Sequence, residues 1–292
     1  MNLLIAIDGS EAALHACRLV AGYAGARPTV RITLLNVQRP PLRLSAQPGV
    51  EQSVLEGALR EQGNRHLEDA RALLPSGLRE VASVVRIGPP AETILQEVRD
   101  GGAAALVMGS GRHGPLGGYA MGSVALRVAP AAPCPVVIVR PGARLPAERG
   151  KTLRVTAPVD GSQESVDAVR RLAGCAGLLG PMHVDLVHFH AGLPLAAAIL
   201  PPHDDVLQAW SGLETDAALR LPAQILSEAG IAHAEHRLTG AADVEIAAFA
   251  RRQTADLIAM GTRGAGAMHH LLLGSVALRT AQVSEVPVAL MR

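Results

Sequence analysis

Short apolar runs alternate with amphipathic stretches along the whole chain. Residues 3–7 form an apolar run of the kind found in strands buried on both faces. Ser10 then stands where a helix N-cap belongs, ahead of residues 11–20, whose apolar positions recur at helical spacing. The same reading predicts strands over 30–37, 81–87, 104–108 and 135–139, and helices over 50–74 and 91–99, with a last helix starting over 123–128. Strands alternating with helices imply βαβ units with right-handed crossovers, hence an α/β fold with a mostly parallel sheet and helices on both faces.

The pattern then starts again. Asp8-Gly9-Ser10 recurs 152 positions later as Asp160-Gly161-Ser162. At the same offset Met108-Gly109 recurs as Met260-Gly261, and the block Gly122-Ser-Val-Ala-Leu-Arg127 recurs letter for letter as Gly274 to Arg279. Pro135-Val136 matches Pro287-Val288, and Arg140 matches Arg292. Chance does not keep five matches in one register, so the chain is two copies of one unit, near 1–142 and 152–292. The Pro- and Gly-containing stretch 143–151 reads as an exposed linker. Second-copy strands are expected over 153–159, 184–189, 234–238, 256–260 and 287–291. Pro158 conflicts with a central strand, and predicts a bulge or an exit from the ladder near the strand end. The apolar final strands, 135–139 and 287–291, are candidates for pairing the copies as an internal pseudo-dimer, or for pairing two chains as a homodimer.

Composition narrows the function classes. Of 292 residues, 49% are hydrophobic and 18% charged, which excludes a disordered chain. Two Tyr, two Phe and one Trp exclude an RNA surface built on aromatic stacking. A net charge of +1 leaves no basic field for nucleic acid or an anionic membrane. That near-neutral sum hides unequal halves: 16 Arg against 12 acids over 1–150 (+4), and 11 bases against 14 acids over 151–292 (−3). Cys17, Cys134 and Cys175 are odd in number and lack CxxC spacing, so they read as small hydrophobes in a reducing compartment. The N-terminal run reaches Asp8 without a cationic flank or cleavage site, unlike a signal peptide. With no uninterrupted apolar run of roughly 20 residues, a cytoplasmic protein is expected.

The turn after the fourth strand carries the candidate chemistry. In the second copy Met260 is followed by Gly261-Thr-Arg-Gly264, nine residues, and Gly274-Ser275. Ligands of open α/β sheets bind beyond the carboxyl ends of the strands. Gly264 permits a tight turn with backbone close to a ligand. Gly274-Ser275 opens the last helix, whose unpaired N–H groups suit a phosphate, with the Ser275 hydroxyl as a further donor. Asp160 lies at the same rim, within reach of a ribose or adenine.

These residues together resemble the universal stress protein family in its tandem form, over essentially the whole chain. The resemblance rests on strand–Asp-Gly-Ser–helix, on Gly-x2-Gly-x9-Gly-Ser, and on Pro-Val at the last strand. It implies two Rossmann-like domains of the adenine nucleotide alpha hydrolase type, each a five-stranded sheet in order 3-2-1-4-5, with ATP, alone or with Mg²⁺, at the strand carboxyl ends. The glycine pattern is the one that marks the family's ATP-binding members. Carried over, Asp160 and Phe189 flank the adenosine, Met260, Gly261 and Gly264 the ribose–phosphate turn, and Gly274 and Ser275 the phosphates. The first copy retains Asp8, Gly109, Gly122 and Ser123, has Val37 where the second has Phe189, and has Arg112 where the second has Gly264. Arg112 either occludes the turn or reaches a phosphate, so the second copy is expected to bind ATP more reliably.

Other motifs have simpler readings. Gly109-Ser-Gly111-Arg-His-Gly114 spells GxGxxG, but follows the fourth strand instead of the first. Gly150-Lys151-Thr152 resembles the end of a P-loop, yet Leu145 stands where its first Gly belongs and a strand follows. The second-copy histidines at 183, 188, 190, 203, 233, 236, 269 and 270 have no zinc-site spacing and read as surface or packing residues, as does Trp210. No GxSxG elbow is present, and no catalytic or metal-ligating residue is assigned. Three functions follow: a nucleotide-responsive regulatory module without efficient catalysis, an interaction module without nucleotide, and a slow ATP hydrolase with Mg²⁺ near Asp8 or Asp160.

Overall fold

The computed structural model describes residues 2–24, 30–40, 52–78, 80–110, 112–113, 119–143, 152–190, 204–264 and 272–292, with 112–113, 119–120, 190 and 204–214 described by their backbone alone. The chain divides into two compact units, Met1–Gly150 and Lys151–Arg292. Of the expected linker, residues 144–151 lie outside the described residues.

The first unit runs β1 (Asn2–Ala6), α1 (Glu11–Ala24), β2 (Arg31–Gln38), α2 (Gln52–Arg71), β3 (Val81–Ile87), α3 (Pro90–Asp100), β4 (Ala105–Gly109), β5 (Arg112–His113), β6 (Tyr119–Ala120), α4 (Ser123–Val128) and β7 (Val136–Val139). Its strands pair in parallel as β3-β2-β1-β4-β7. The second unit runs β8 (Leu153–Pro158), α5 (Gln163–Gly174), α6 (Ala176–Leu179), β9 (Met182–His190), α7 (Asp204–Glu228), β10 (Ala232–Thr239), α8 (Ala242–Arg252), β11 (Leu257–Gly261), α9 (Ser275–Val283) and β12 (Val288–Met291). Its parallel order is β10-β9-β8-β11-β12.

The repeat is carried into the ladder itself. Leu3 pairs with Ile32 in one unit and Val155 with Val184 in the other; Met108 pairs with Ile138, and Met260 with Leu290. Strand ends differ from the sequence expectation by a residue or two, because ladder bonds rather than apolar character decide where a strand stops. Pro158 ends β8 opposite Val187, and the Val159 N–H resumes bonding to Val187 O at 2.9 Å. The proline thus keeps its register with β9 without a bulge, whereas pairing with β11 stops at Thr156 opposite Ile258, and one donor is forfeited. The antiparallel pair β5–β6, with Arg112 opposite Ala120, has no counterpart in the strand–helix alternation read from sequence.

The central strands are buried from both sides, with Leu4, Ile5, Leu106 and Val107 at or below 3% exposure. Small residues on α1, notably Ala12, Ala13 and Ala16, let that helix lie close to the sheet. Cys17, on the same face, donates its thiol to Ala70 O at 3.2 Å. Burial pushes its pKa up to about 12, against a weaker downward pull from Arg18, and burial also raises that of Cys175 against Arg171. The thiolate is the reactive form, so Cys17 stays protonated and inert through pH 8. Thiol labelling at pH 8 is therefore expected to reach Cys17 only as fast as its domain unfolds. Prompt labelling of Cys17 in the native chain would contradict this packing. Among the described residues no helix is long and apolar enough to cross a membrane.

The two interiors are not identical. Asp185 on β9 is 2% exposed and accepts from Arg154 Nη2 at 3.3 Å and His236 Nε2 at 2.9 Å. At the matching positions of the first unit, Thr33 Oγ1 donates to Asn2 Oδ1 at 3.0 Å. A neutral pair in one copy, at half-buried Thr33, is thus an ionic cluster around a buried carboxylate in the other.

Candidate functional site

Each unit turns from its first strand into its first helix through the same device. Ser162 N–H donates to Asp160 Oδ1 at 3.0 Å, and Ser162 Oγ accepts from Ser165 N–H at 3.2 Å, capping α5. The first unit repeats both bonds: Ser10 N–H to Asp8 Oδ1 at 3.0 Å, and Ala13 N–H to Ser10 Oγ at 3.2 Å. Gly9 and Gly161 both sit at φ +80°, where a side chain is strained. Asp-Gly-Ser is therefore a turn module first, with its aspartate held by local bonds.

Above the second unit's turn lies a cavity of about 550 Å³. It opens at the carboxyl ends of β8 and β11, where the strand order reverses and open α/β sheets receive ligands. Its apolar lining is Val159, Phe189, Ile246 of α8, Met260 and Leu272. The start of α9, Gly274 to Ala277, lines it too. Gly274 caps this helix without a side-chain bond, and the first intrahelical bond is Leu278 N–H to Gly274 O at 2.9 Å. The N–H groups of Ser275, Val276 and Ala277 consequently have no acceptor within the helix. Gly264 forms the floor: a Cβ there would lie 2.5 Å from Asp160 Oδ2. Gly274 is pinned to the same turn through its N–H to Thr262 O at 2.8 Å. Asp160 is the only acid and Arg263 the only base among the described lining residues. The chemistry on offer is an apolar lining together with an array of backbone donors.

Compared with known proteins, residues 1–140 and 152–292 each match the universal stress protein family. The chain belongs to that family, as two tandem domains. A universal stress protein of Mycobacterium tuberculosis is 26% identical over 305 aligned positions, covering all of this chain and 96% of that one. One from Thermus aquaticus is 30% identical over 139, covering 48% of this chain and 98% of its own length. The crystal structure of a universal stress protein from Archaeoglobus fulgidus superposes with a TM-score of 0.72 at 18% identity, covering 100% of this chain and 98% of that one.

In this universal stress protein, Asp160, Phe189, Met260, Gly261, Gly264, Gly274 and Ser275 all line the one cavity. Ser165, Ala242, Ile246 and Leu272 line it too and were not singled out from sequence. Ala242 and Ile246 belong to the first turns of the helix after β10, which the βαβ reading alone would have sent to the same rim. Gly261 also serves the packing: a Cβ there would lie 3.0 Å from Arg263 O and 3.2 Å from Glu164 O, so its absence lets α5 approach β11.

The first domain places Asp8, Val37 and Gly109 at the carboxyl ends of the matching strands and Gly122 and Ser123 at the start of α4, but with different surroundings. Arg112, at the position of Gly264, lies in β5, and its side chain is outside the described residues. His66 of α2 packs on the Asp-Gly-Ser turn, where a Cβ on Gly9 would lie 2.3 Å from its ring; the matching residue in the second domain is Ala218, 3.4 Å from the same point on Gly161. Among the described residues a Cβ on Gly122 would meet nothing within 4 Å, whereas one on Gly274 would meet Arg263 Cα at 3.3 Å. Residue 111, the counterpart of Arg263, lies outside the described residues.

The histidines of the second domain have packing partners. His188 Nδ1 bonds to Val159 O at 2.9 Å, His233 Nδ1 to Ile231 O at 3.1 Å, and His183 Nε2 lies 3.6 Å from Asp185 Oδ1. Among the described residues no three His, Cys, Asp or Glu side chains are grouped to hold a metal ion. His203, His269, His270 and the side chains of His190 and Trp210 lie outside the described residues.

Proposed function

We propose that this universal stress protein binds ATP in its second domain and uses it as a regulatory ligand without efficient turnover. The observation that carries the reading is the pairing of an apolar slot with the uncapped first turn of α9 across a glycine floor. A purine fits between Phe189 and Ile246, and phosphates fit the N–H groups of Ser275 to Ala277 at the positive end of the helix dipole. The floor must be glycine because the space a Cβ would take at 264 belongs to Asp160. Mg²⁺ would arrive on the phosphates, since the described lining offers one carboxylate, already accepting from Ser162.

The same inventory argues against hydrolysis. A hydrolase needs a base to orient water, and the lone acid of the described lining already accepts from Ser162 in its own turn. The nucleotide would act by stabilising one conformation, to the extent that its affinities for the two states differ. In the first domain, α4 has six residues against nine in α9, and Arg112 replaces the floor glycine, so the second domain fills first. Three free cysteines suit a reducing compartment, and we place the protein in the cytoplasm.

Native mass spectrometry with added ATP is expected to show one nucleotide per chain at concentrations that saturate the second domain. At 100 times Kd, ATP should stabilise that domain by about 2.7 kcal/mol. Phosphate release should stay at the level of a protein-free control. Millimolar ATP that neither binds nor raises the melting temperature would overturn the reading.

A further inference from the structure

One side-chain bond is made twice, by two different residues, at the same point of both domains. In the second domain Val159 N–H donates to Val187 O at 2.9 Å, and Val159 O accepts from His188 Nδ1 at 2.9 Å. In the first, Ile7 N–H donates to Leu35 O at 2.8 Å, and Ile7 O accepts from Asn36 Nδ2 at 2.7 Å. Residues 36 and 188 are related by the 152-residue repeat, as are 7 and 159. A carbonyl only accepts, so His188 carries its proton on Nδ1, where it does the work of the Asn36 amide.

The location gives the bond its meaning. Val159 and Ile7 are buried and are the last residues before Asp160 and Asp8. Each has left the strand, so its carbonyl has no further ladder partner, and a buried carbonyl left without a donor is costly. With the N–H held by the neighbouring backbone and the C=O by the neighbouring side chain, the residue that launches the Asp-Gly-Ser turn is fixed through both of its peptide groups. In the first domain the arrangement is braced further: Asn36 Oδ1 accepts from Gln38 Nε2 at 2.9 Å, and a Cβ on Gly63 of α2 would lie 2.7 Å from that oxygen. Two residue types with little in common apart from a side-chain N–H at this reach have been kept on one carbonyl while the surrounding interior diverged.

We propose that His188 is a positioning residue for the second-domain site: it sets the exit angle of β8 and thereby the place of Asp160 against Gly264. Its effect on ATP rests on the proposed nucleotide site; its effect on the turn does not. The test uses the full chain with His188→Leu, which removes the donor, and His188→Asn, which restores it in the form the first domain uses. Two quantities are read: ATP affinity, and amide hydrogen exchange of the Asp160–Ser165 segment without nucleotide. His188→Leu is expected to weaken ATP binding about tenfold and to speed exchange of that segment by a similar factor, with β11 and β12 protection unchanged. His188→Asn is expected to recover most of both. If the leucine variant does not fold, His188→Ala carries the same expectation. Asparagine behaving like leucine, or leucine behaving like wild type in exchange, overturns the inference. Wild-type protein that fails to bind ATP overturns the nucleotide reading alone, because the exchange comparison still stands.

Discussion

Gly264→Arg, which gives the second domain the residue its partner copy carries, is expected to weaken ATP binding at least a hundredfold while leaving the fold intact. A Cβ at 264 would lie 2.5 Å from Asp160 Oδ2, closer than any tolerable contact. The carboxylate cannot simply turn aside, because its other oxygen accepts from Ser162 N–H at 3.0 Å and holds the turn that starts α5. Either that bond is lost or the 262–264 turn lifts into the cavity that phosphates would enter. Gly264 is half-buried at the surface end of β11, so the lift costs the core little. Gly264→Ala introduces the same Cβ without the long side chain, and should cost about tenfold, or ~1.4 kcal/mol. Titration calorimetry of the two variants separates obstruction from charge: arginine binding ATP more tightly than alanine would mean that the guanidinium reaches a phosphate. The reverse exchange, Arg112→Gly, is not expected to create a strong first-domain site. His66 would still sit on the Asp8-Gly9-Ser10 turn, and α4 would still be a six-residue helix.

The contrast between residues 112 and 264 was readable without coordinates, and so was the shared rim, because both follow from spacing along the chain. Strand–helix alternation places strand carboxyl ends together, and the repeat shows which residues correspond. Lateral relations are a different kind of information. That residue 188 serves the carbonyl of 159 depends on the β8–β9 register and on which face of β9 each side chain takes, neither of which periodicity encodes. The same holds for His66 over Gly9, and for the Asp185 cluster, where three elements meet on one carboxylate. Ser165 and Ile246 are not marked by the sequence because apolar and small residues in helices look alike whether they face a core or a cavity, and Leu272 lies in the segment before α9, which carries no periodicity. Asp8 and Asp160, read from sequence as ligand contacts, form the turn through their own hydrogen bonds, a role that Asp-Gly-Ser ahead of a helix does announce.

The second large effect concerns Gly109, which shares the glycine pattern with Gly261 but is held by a harder constraint. A Cβ on Gly109 would lie 2.3 Å from both Ala12 C and Ala13 N. These are backbone atoms in the first turn of α1, so no side chain can rotate away, and the helix must leave β4. Overpacking that forces backbone to move costs ~1–3 kcal/mol and occasionally more, and Gly109→Ala is expected at the upper end, near 3 kcal/mol. At Gly261 the matching contacts are 3.0 Å and 3.2 Å, also to backbone, and a shift of a few tenths of an ångström relieves them; Gly261→Ala should cost ~1 kcal/mol. Two domains in one chain need not unfold together, so a single denaturation midpoint would blur the comparison. Hydrogen exchange resolves it segment by segment. Protection of β1 and β4 should fall by roughly a hundredfold in Gly109→Ala, and that of β8 and β11 by roughly fivefold in Gly261→Ala, each variant leaving the other domain untouched. Equal losses would mean that the glycine after the fourth strand answers to one demand in both copies. Unequal losses would separate two demands within a single motif: helix–sheet contact at 109 and 261, harder in the first domain, and room beside a carboxylate at 264, which only the second domain has kept.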